Sequence, residues 1–219
     1  MNATEDGRPV DDYVCRFDFQ HGWVDLTLSE ATKAAARALA TETLSRLNPL
    51  SLEVEKSAVF DDMVDRACEL NEDGPILAGA YYAENGVGLA DLKVDSFGEQ
   101  GVARPTPKDV QPLLLEWANA EVASEPDITY LDLTAGPAVR VQAMLKARRL
   151  FGFGRRFAEF VKYAVFPPGL NNLVVVTVTW QAIDQTEALT QLTDELVSTM
   201  RLVPVDADGN EITDPNPPK

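Results

Sequence analysis

Short segments with strand-like spacing of apolar residues occur in pairs along this chain, and each pair is joined by residues that favour a tight turn. The paired segments are 13–19 with 23–28, 76–83 with 87–97, 128–135 with 138–147, and 157–166 with 171–181. The turns contain Gln20-His21-Gly22, Glu84-Asn85-Gly86, Gly136-Pro137 and Pro167-Pro168-Gly169. Glycine and Asn-Gly tolerate the positive φ that hairpin turns require. The pattern therefore predicts a series of antiparallel hairpins.

Apolar residues at helical spacing predict two helices between the first and second hairpins. The first begins with Ser29 as its N-cap and continues through an Ala-rich stretch to about residue 47. Alanine is the strongest helix former, and Ser is a preferred N-cap. The second helix covers residues 57–70, and its apolar face is Phe60, Met63, Val64, Ala67 and Cys68. Both helices are expected to precede the main part of the sheet.

Two further helices are predicted in the second half of the chain. One begins at the N-cap Asp109, tolerates Pro112 in its first turn and continues to about residue 122. Its expected buried stripe is Val110, Leu113, Leu114, Trp117 and Ala118. The other begins at a predicted capping box of Asp184 and Glu187. Its apolar stripe is Leu189, Leu192, Leu196 and Met200.

Hairpins with short turns, rather than strand-helix-strand crossovers, indicate an antiparallel sheet flanked by helices. We therefore predict an α/β chain of the α+β sandwich type. A length of 219 residues fits one domain. We place that domain at residues 13–204, after a disordered N-terminal segment 1–12 and before an acidic, Pro-rich tail at 205–219.

The order of these elements resembles the Mog/PsbP-like fold family. The resemblance covers roughly residues 13 to 204 and includes the strand Leu173-Val174-Val175-Val176-Thr177-Val178 and the closing Met200-Arg201-Leu202. That family includes the PsbP protein of photosystem II and LpqN-type lipoproteins of actinobacteria. The resemblance implies an accessory or adaptor protein rather than an enzyme, and no functional residue carries over. The chain differs from the lipoproteins in showing no signal peptide or acylated cysteine.

Net charge restricts the classes of partner. The chain carries a formal charge of −16, which repels phosphates and anionic lipid before local contacts form. Nucleic acid and membrane surfaces are therefore disfavoured as partners. The polar, acidic N-terminus lacks the features of a secretory signal, so a cytoplasmic location is expected. The oligomeric state is left open.

Few residues here suit catalysis or metal binding. His21 is the single histidine and is expected in a turn, with a general base helped by Asp18 or Asp25 as the alternative. Cys15 and Cys68 have no ligand neighbours and are expected to be buried free thiols. A nucleophilic triad, a zinc site and a phosphate loop are not indicated.

The tail contains a segment, 206–213, that resembles the start of a calcium-binding loop. It lacks the Gly and the bidentate Glu that such a loop needs. Asp61, Asp62 and Asp65 are expected on a solvated helix face. We therefore predict no cofactor and no metal.

A basic island interrupts this acidic chain. Its members are Arg140, Lys146, Arg148, Arg149, Arg155, Arg156 and Lys162, and no Asp or Glu lies between Asp132 and Glu159. Alternation places Arg140, Gln142, Lys146 and Arg148 on one strand face, opposite Val139, Val141, Ala143 and Leu145. Phe151 and Phe153 then lie in the loop between two Arg pairs. Arg with aromatic residues is typical of interface hot spots.

We therefore predict a non-catalytic adaptor that binds a protein partner through Arg148, Arg149, Phe151, Phe153, Arg155 and Arg156. In one alternative for the loop, both rings fold onto the core and the arginines pair internally. A nucleic acid or phosphorylated ligand at the loop is another. The competing function is a small-molecule binder or hydrolytic enzyme with a pocket on the open sheet face. Tyr130, Arg140, Lys162 and Tyr163 would line that pocket.

The loop hypothesis generates a binding prediction. Replacing the four loop arginines with Gln should weaken capture of an acidic partner and reduce the salt dependence of its association, because charge complementarity acts mainly on the association rate. The melting temperature should hardly change. The measurement is a pull-down from the native host beside the wild type. Equal partner recovery by both proteins would contradict the prediction.

Overall fold

The computed structural model describes residues 13–46, 52, 54–98, 102–147, 157–205 and 211. The segment 1–12, the loop 148–156 and most of the tail, for which the sequence makes predictions, lie outside these residues. Within the described part of the chain, no helix is long and apolar enough to cross a membrane.

Ten strands and four α-helices make up the described chain. In order they are β1 Tyr13–Arg16, β2 Trp23–Asp25, α1 Lys33–Arg46, α2 Lys56–Leu70, β3 Leu77–Tyr82, β4 Gly88–Phe97, α3 Pro107–Leu114, β5 Ala120–Val122, β6 Asp127–Leu133, β7 Gly136–Ala147, β8 Phe157–Val165, β9 Leu173–Trp180, a 3₁₀ turn Ile183–Gln185, α4 Thr186–Ser198 and β10 Arg201–Pro204. The predicted α+β class is confirmed.

An eight-stranded antiparallel sheet organises these elements. Its strand order is β2-β3-β4-β9-β8-β7-β5, and β6 also pairs with β7. The hairpins β3–β4, β6–β7 and β8–β9 are confirmed, and β6 to β9 are consecutive antiparallel neighbours as predicted. At the β3–β4 turn Gly86 has φ of +89°, which favours glycine. Short local connections therefore determine most of the sheet.

The predicted hairpin between residues 13–19 and 23–28 is wrong. Its turn forms, since the backbone N–H of Trp23 donates to the carbonyl of Gln20 at 3.1 Å. However, β2 pairs with β3, and β1 pairs with β10 in a separate two-stranded sheet. Cys15 and Phe17 thereby reach the core beneath α4. Burial of these side chains through a contact distant in sequence outweighs the local turn signal.

Helix α1 begins later than predicted. The hydroxyl of Thr32, not Ser29, accepts a hydrogen bond from the N–H of Ala35 at 3.2 Å, and the helix starts at Lys33. Helix α3 is capped by Thr106, which forms a capping box with Asp109. Asp109 is therefore the third helical residue rather than the N-cap.

Helix α3 also ends earlier than predicted. It stops at Leu114, because residues 120–122 form β5 and pair with β7. Leu113, expected in the buried stripe, is exposed. The capping box expected for α4 does not form, since Asp184 lies in the 3₁₀ turn and Thr186 begins the helix.

The two faces of the sheet are covered differently. Helix α4 and the β1–β10 pair cover one face and bury the largest core cluster. On the other face, α1 and α2 cover the end near β2 and β3, whereas α3 covers β7 and β8. The guanidinium of Arg66 on α2 contacts Asp91 of β4 and lies 2.8 Å from Asp62 Oδ2. The strip over β4 and β9, between these helical layers, is left partly open.

Helix α4 provides a stability prediction. Leu196 is fully buried, so Leu196→Ala should lower the free energy of unfolding by about 2 to 5 kcal/mol through lost contacts and a residual cavity. Leu192 is only partly buried, so Leu192→Ala should lower the free energy of unfolding by less than Leu196→Ala does. Urea unfolding of both variants and the wild type measures the difference. Equal, negligible effects would contradict this packing of α4.

Candidate functional site: a groove beside α3

A row of polar side chains crosses the partly open sheet face. In the strand register Lys93 of β4 and Lys162 of β8 both pair with Thr177 of β9, so the three side chains lie on one face. Asp95 lies two residues after Lys93 on the same face. The residues that surround this polar row on the same face of the sheet are mostly apolar. Polar residues therefore form the floor of a site with apolar surroundings.

A groove of about 740 Å³ lies between this row and α3. Val110, Leu113 and Leu114 of α3 form one wall, and residues 102–105 form another. Asp95, Lys162 and Thr177 line the floor together with Leu173 and Val175. Concave sites of roughly 300 to 1,000 Å³ with apolar walls and a few polar groups are typical of small-molecule binding. The groove has the size and the composition of such a site.

The mouth of the groove is apolar and exposed. Phe97, Val102 and Leu113 are 54%, 58% and 52% exposed, and all three line the groove. Isolated exposed apolar side chains are ordinary, but several around one concavity mark a binding surface. The spacing of apolar residues predicts Leu113 in the buried stripe of α3. The exposed cluster of Phe97, Val102 and Leu113 is therefore visible only in the tertiary structure.

Lys162 is the most unusual charged residue of the floor. Its Nζ lies 3.9 Å from the centroid of the Trp117 ring and donates to the backbone carbonyl of Glu116 at 3.3 Å. Burial lowers the pKa of the Lys162 ammonium to about 8, although the charges of Asp95 and Glu116 act in the opposite direction. Among the described residues, no carboxylate lies within 4 Å of this Nζ.

The neighbouring charges are satisfied in other ways. Nζ of Lys93 lies 2.9 Å from Asp73 Oδ2 and 3.7 Å from Asp95 Oδ1. Burial raises the pKa of the Asp95 carboxyl, and Lys93 opposes that rise. Arg104 donates to the carbonyls of Pro167 and Leu170 at 3.0 and 3.1 Å. These bonds attach one wall of the groove to the β8–β9 turn.

The six predicted partner-binding residues, Arg148, Arg149, Phe151, Phe153, Arg155 and Arg156, lie outside the described residues. The other members of the basic island do not share a surface. Arg140 and Lys146 lie on the α4 side of the sheet, and Lys162 lies on the opposite side. Lys146 bonds to Glu121 at 2.7 Å. The predicted alternation is confirmed for Arg140, Gln142 and Lys146, which share one face of β7, and Arg140 and Lys146 pair with carboxylates there.

Arg140 is buried beneath α4 and attaches that helix to the sheet. It is 8% exposed, and its Nε lies 3.1 Å from Asp194 Oδ1 and 3.2 Å from the hydroxyl of Tyr163. Its Nη2 donates to Gln142 at 2.8 Å. A buried arginine with these partners serves packing, because its charge and its donors are used within the protein.

A cavity lined by Tyr130, Arg140, Lys162 and Tyr163, which would have favoured the competing function, does not form among the described residues. Arg140 and Tyr163 bond to each other beneath α4, whereas Lys162 faces the opposite side. Tyr130 is exposed on β6 and is bonded by Gln111. The pocket on the open sheet face exists with other walls, and only Lys162 of the predicted set lines it.

The residues considered for other chemistry do not line the groove. His21 lies exposed in the turn before β2. Cys15 is buried, and burial raises the pKa of its thiol to about 12, which disfavours the reactive thiolate. Cys68 is only partly buried. Within the described part of the chain, no three His, Cys, Asp or Glu side chains cluster as metal ligands.

Comparison with known proteins finds an architectural similarity. The chain is similar to the solution structure of cyanobacterial PsbP (CyanoP) from Synechocystis sp. PCC 6803, with 11% identity and a TM-score of 0.44 over 86% of each chain. The order of elements along the sequence indicates the same resemblance. No protein-family model and no curated protein matches the chain. No residue role, partner or activity passes from that structure to this protein.

The partly buried ammonium of Lys162 generates a stability prediction. Folding disfavours the charged form of Lys162, because burial lowers its pKa from 10.5 to about 8. The charged side chain therefore lowers the free energy of unfolding by its full amount below pH 8, and this destabilisation disappears as the pH rises from 8 to 10.5. Lys162→Met should therefore melt above the wild type at neutral pH, and the difference should shrink with alkalinity. Calorimetry across this pH range measures it.

The matched control is Lys146→Met, which removes a lysine bonded to Glu121 on the other face. That variant should show no gain over the wild type. A Lys162→Met protein less stable than the wild type at neutral pH would contradict the prediction.

Proposed function

We propose that this protein is a binding protein that holds a small amphipathic molecule in the groove between α3 and the sheet. The observation that carries the proposal is the combination of a 740 Å³ concavity, an exposed apolar mouth and a polar floor. An amphipathic ligand matches both parts, because its apolar body covers the mouth and its polar group reaches the floor.

The surroundings of the groove support a preformed site. Arg104 bonds to the β8–β9 turn, and Trp117 packs edge-to-face against Phe160 at 5.1 Å. Val110 and Leu114 anchor α3 in the core of this face. Walls fixed in this way lose little conformational entropy on binding, which favours affinity. The exposed side chains at the mouth can then contribute their apolar surface.

A second proposal retains the adaptor role suggested by the basic island. Strands β7 and β8 pair as far as Lys146 and Phe157, and the segment 148–156 joins these two strands in the sequence. Phe157 is partly exposed beside that connection. An acidic protein partner would suit a loop of arginines and aromatics. This role is independent of the groove and stays a prediction.

The groove proposal is tested with a neutral apolar probe such as Nile red. Leu113→Asp should weaken probe binding roughly tenfold or more, because a carboxylate at the mouth replaces an apolar contact. Leu113 is half exposed, so the fold should survive the substitution. Fluorescence titration of the wild type and the variant measures the change.

The matched control is Val87→Asp, at an exposed apolar residue in the β3–β4 turn that does not line the groove. It should bind the probe as the wild type does. Equal weakening by both substitutions, or no binding by the wild type, would contradict the proposal.

A further inference from the structure

Lys162 differs from four other cations that lie against the sheet. Arg66, Lys93, Arg140 and Lys146 each have a carboxylate within 4 Å. Among the described residues, Lys162 instead has the rings of Trp117 and Phe160, at 3.9 and 5.8 Å from their centroids, and one backbone carbonyl. An ammonium has three N–H donors, so its hydrogen-bonding capacity is incompletely used. A partly buried cation with unused donors is a suitable partner for an anion from outside the chain.

The position of Lys162 defines how such an anion would lie. Lys162 lines the floor of the groove whose mouth contains Phe97, Val102 and Leu113. We propose that the groove binds an amphipathic monocarboxylate, with its carboxylate at Lys162 Nζ and its apolar chain against the mouth. This inference rests on the proposed function and adds the chemistry of the head group.

The charges around the floor favour one negative charge over two. Asp95 and Glu116 also line the groove and would repel a doubly charged phosphate more strongly than a carboxylate. Helix α3 contributes Val110, Leu113 and Leu114 rather than its N-terminus, so helix N–H groups do not provide a phosphate site. Arg104 lines the same groove but is bonded to two carbonyls.

Protonation of Lys162 links binding to pH. The charged groups facing it are Asp95 and Lys93 from β4, Glu116 after α3, and Arg104. The pKa of Lys162 is about 8, so the free protein loses the cation as pH rises past that value. A carboxylate ligand stays ionised over this range. Affinity for the monocarboxylate should therefore fall above this pKa.

The test compares decanoate, decanol and decyl phosphate, which share one apolar chain and differ in the head group. Isothermal titration near neutral pH should show decanoate binding the wild type about tenfold tighter than decanol, as expected for a charge-assisted hydrogen bond. Lys162→Met should abolish that preference, so that decanoate binds no tighter than decanol. Lys146→Met, on the other face, should keep it.

The outcomes separate the two proposals. Equal binding of decanoate and decanol by the wild type overturns the head-group inference but leaves the groove proposal standing. Tighter binding of decyl phosphate than of decanoate also overturns it. If none of the three ligands binds and Nile red does not bind either, the proposal that the groove is a binding site is overturned. Lys162→Gln provides a second variant, and thermal melting confirms that each variant is folded.

Discussion

Burial of both faces of one antiparallel sheet is the constraint on which this structure depends. Strand β9 lies between β4 and β8, and its side chains alternate between the core beneath α4 and the opposite face. Helix α4 and the β1–β10 pair cover the first face, so Val174, Val176 and Val178 are fully buried. On the second face separate helical layers cover the two ends of the sheet. Lys93, Thr177 and Lys162 form a polar row across the middle strands, where a continuous apolar surface would have required a further layer.

Agreement between sequence and structure follows the distance between interacting residues. The hairpins β3–β4, β6–β7 and β8–β9 were predictable, because their turns and alternation are encoded within about 20 to 30 neighbouring residues. Pairing of β1 with β10 joins Tyr13 to Pro204 and has no local signal. Helix α3 ends at Leu114 because β5 completes an edge beside β7, although the helical pattern of apolar residues continues. Tertiary pairing overrides propensity in both cases.

The candidate groove was only partly predictable for a related reason. The polar residues Lys93, Lys162 and Thr177 interrupt apolar strands, which is a visible signal in each strand. Their alignment across β4, β9 and β8 depends on the strand register, and alternation alone does not supply it. The basic island is the more visible signal in the sequence, but its Arg140 donates hydrogen bonds within the protein, to Tyr163 and Asp194. The described members of the island lie on two faces of the sheet, because Lys162 pairs with Val141 and successive residues of a strand point to opposite faces.

The charge of the whole chain acts on the groove in the opposite sense to Lys162. A formal charge of −16 repels an approaching carboxylate at long range, whereas the ammonium attracts it at contact. Salt screens charges separated by more than about 8 to 10 Å and has little effect on a partly buried pair. Added salt therefore weakens the long-range repulsion of an anion more than its attraction to Lys162, so the affinity of the groove for the anion should rise with salt. An acidic partner at a solvent-exposed basic loop would respond in the reverse way, since salt would screen that attraction. The sign of the salt dependence thus distinguishes binding in the groove from binding at the loop.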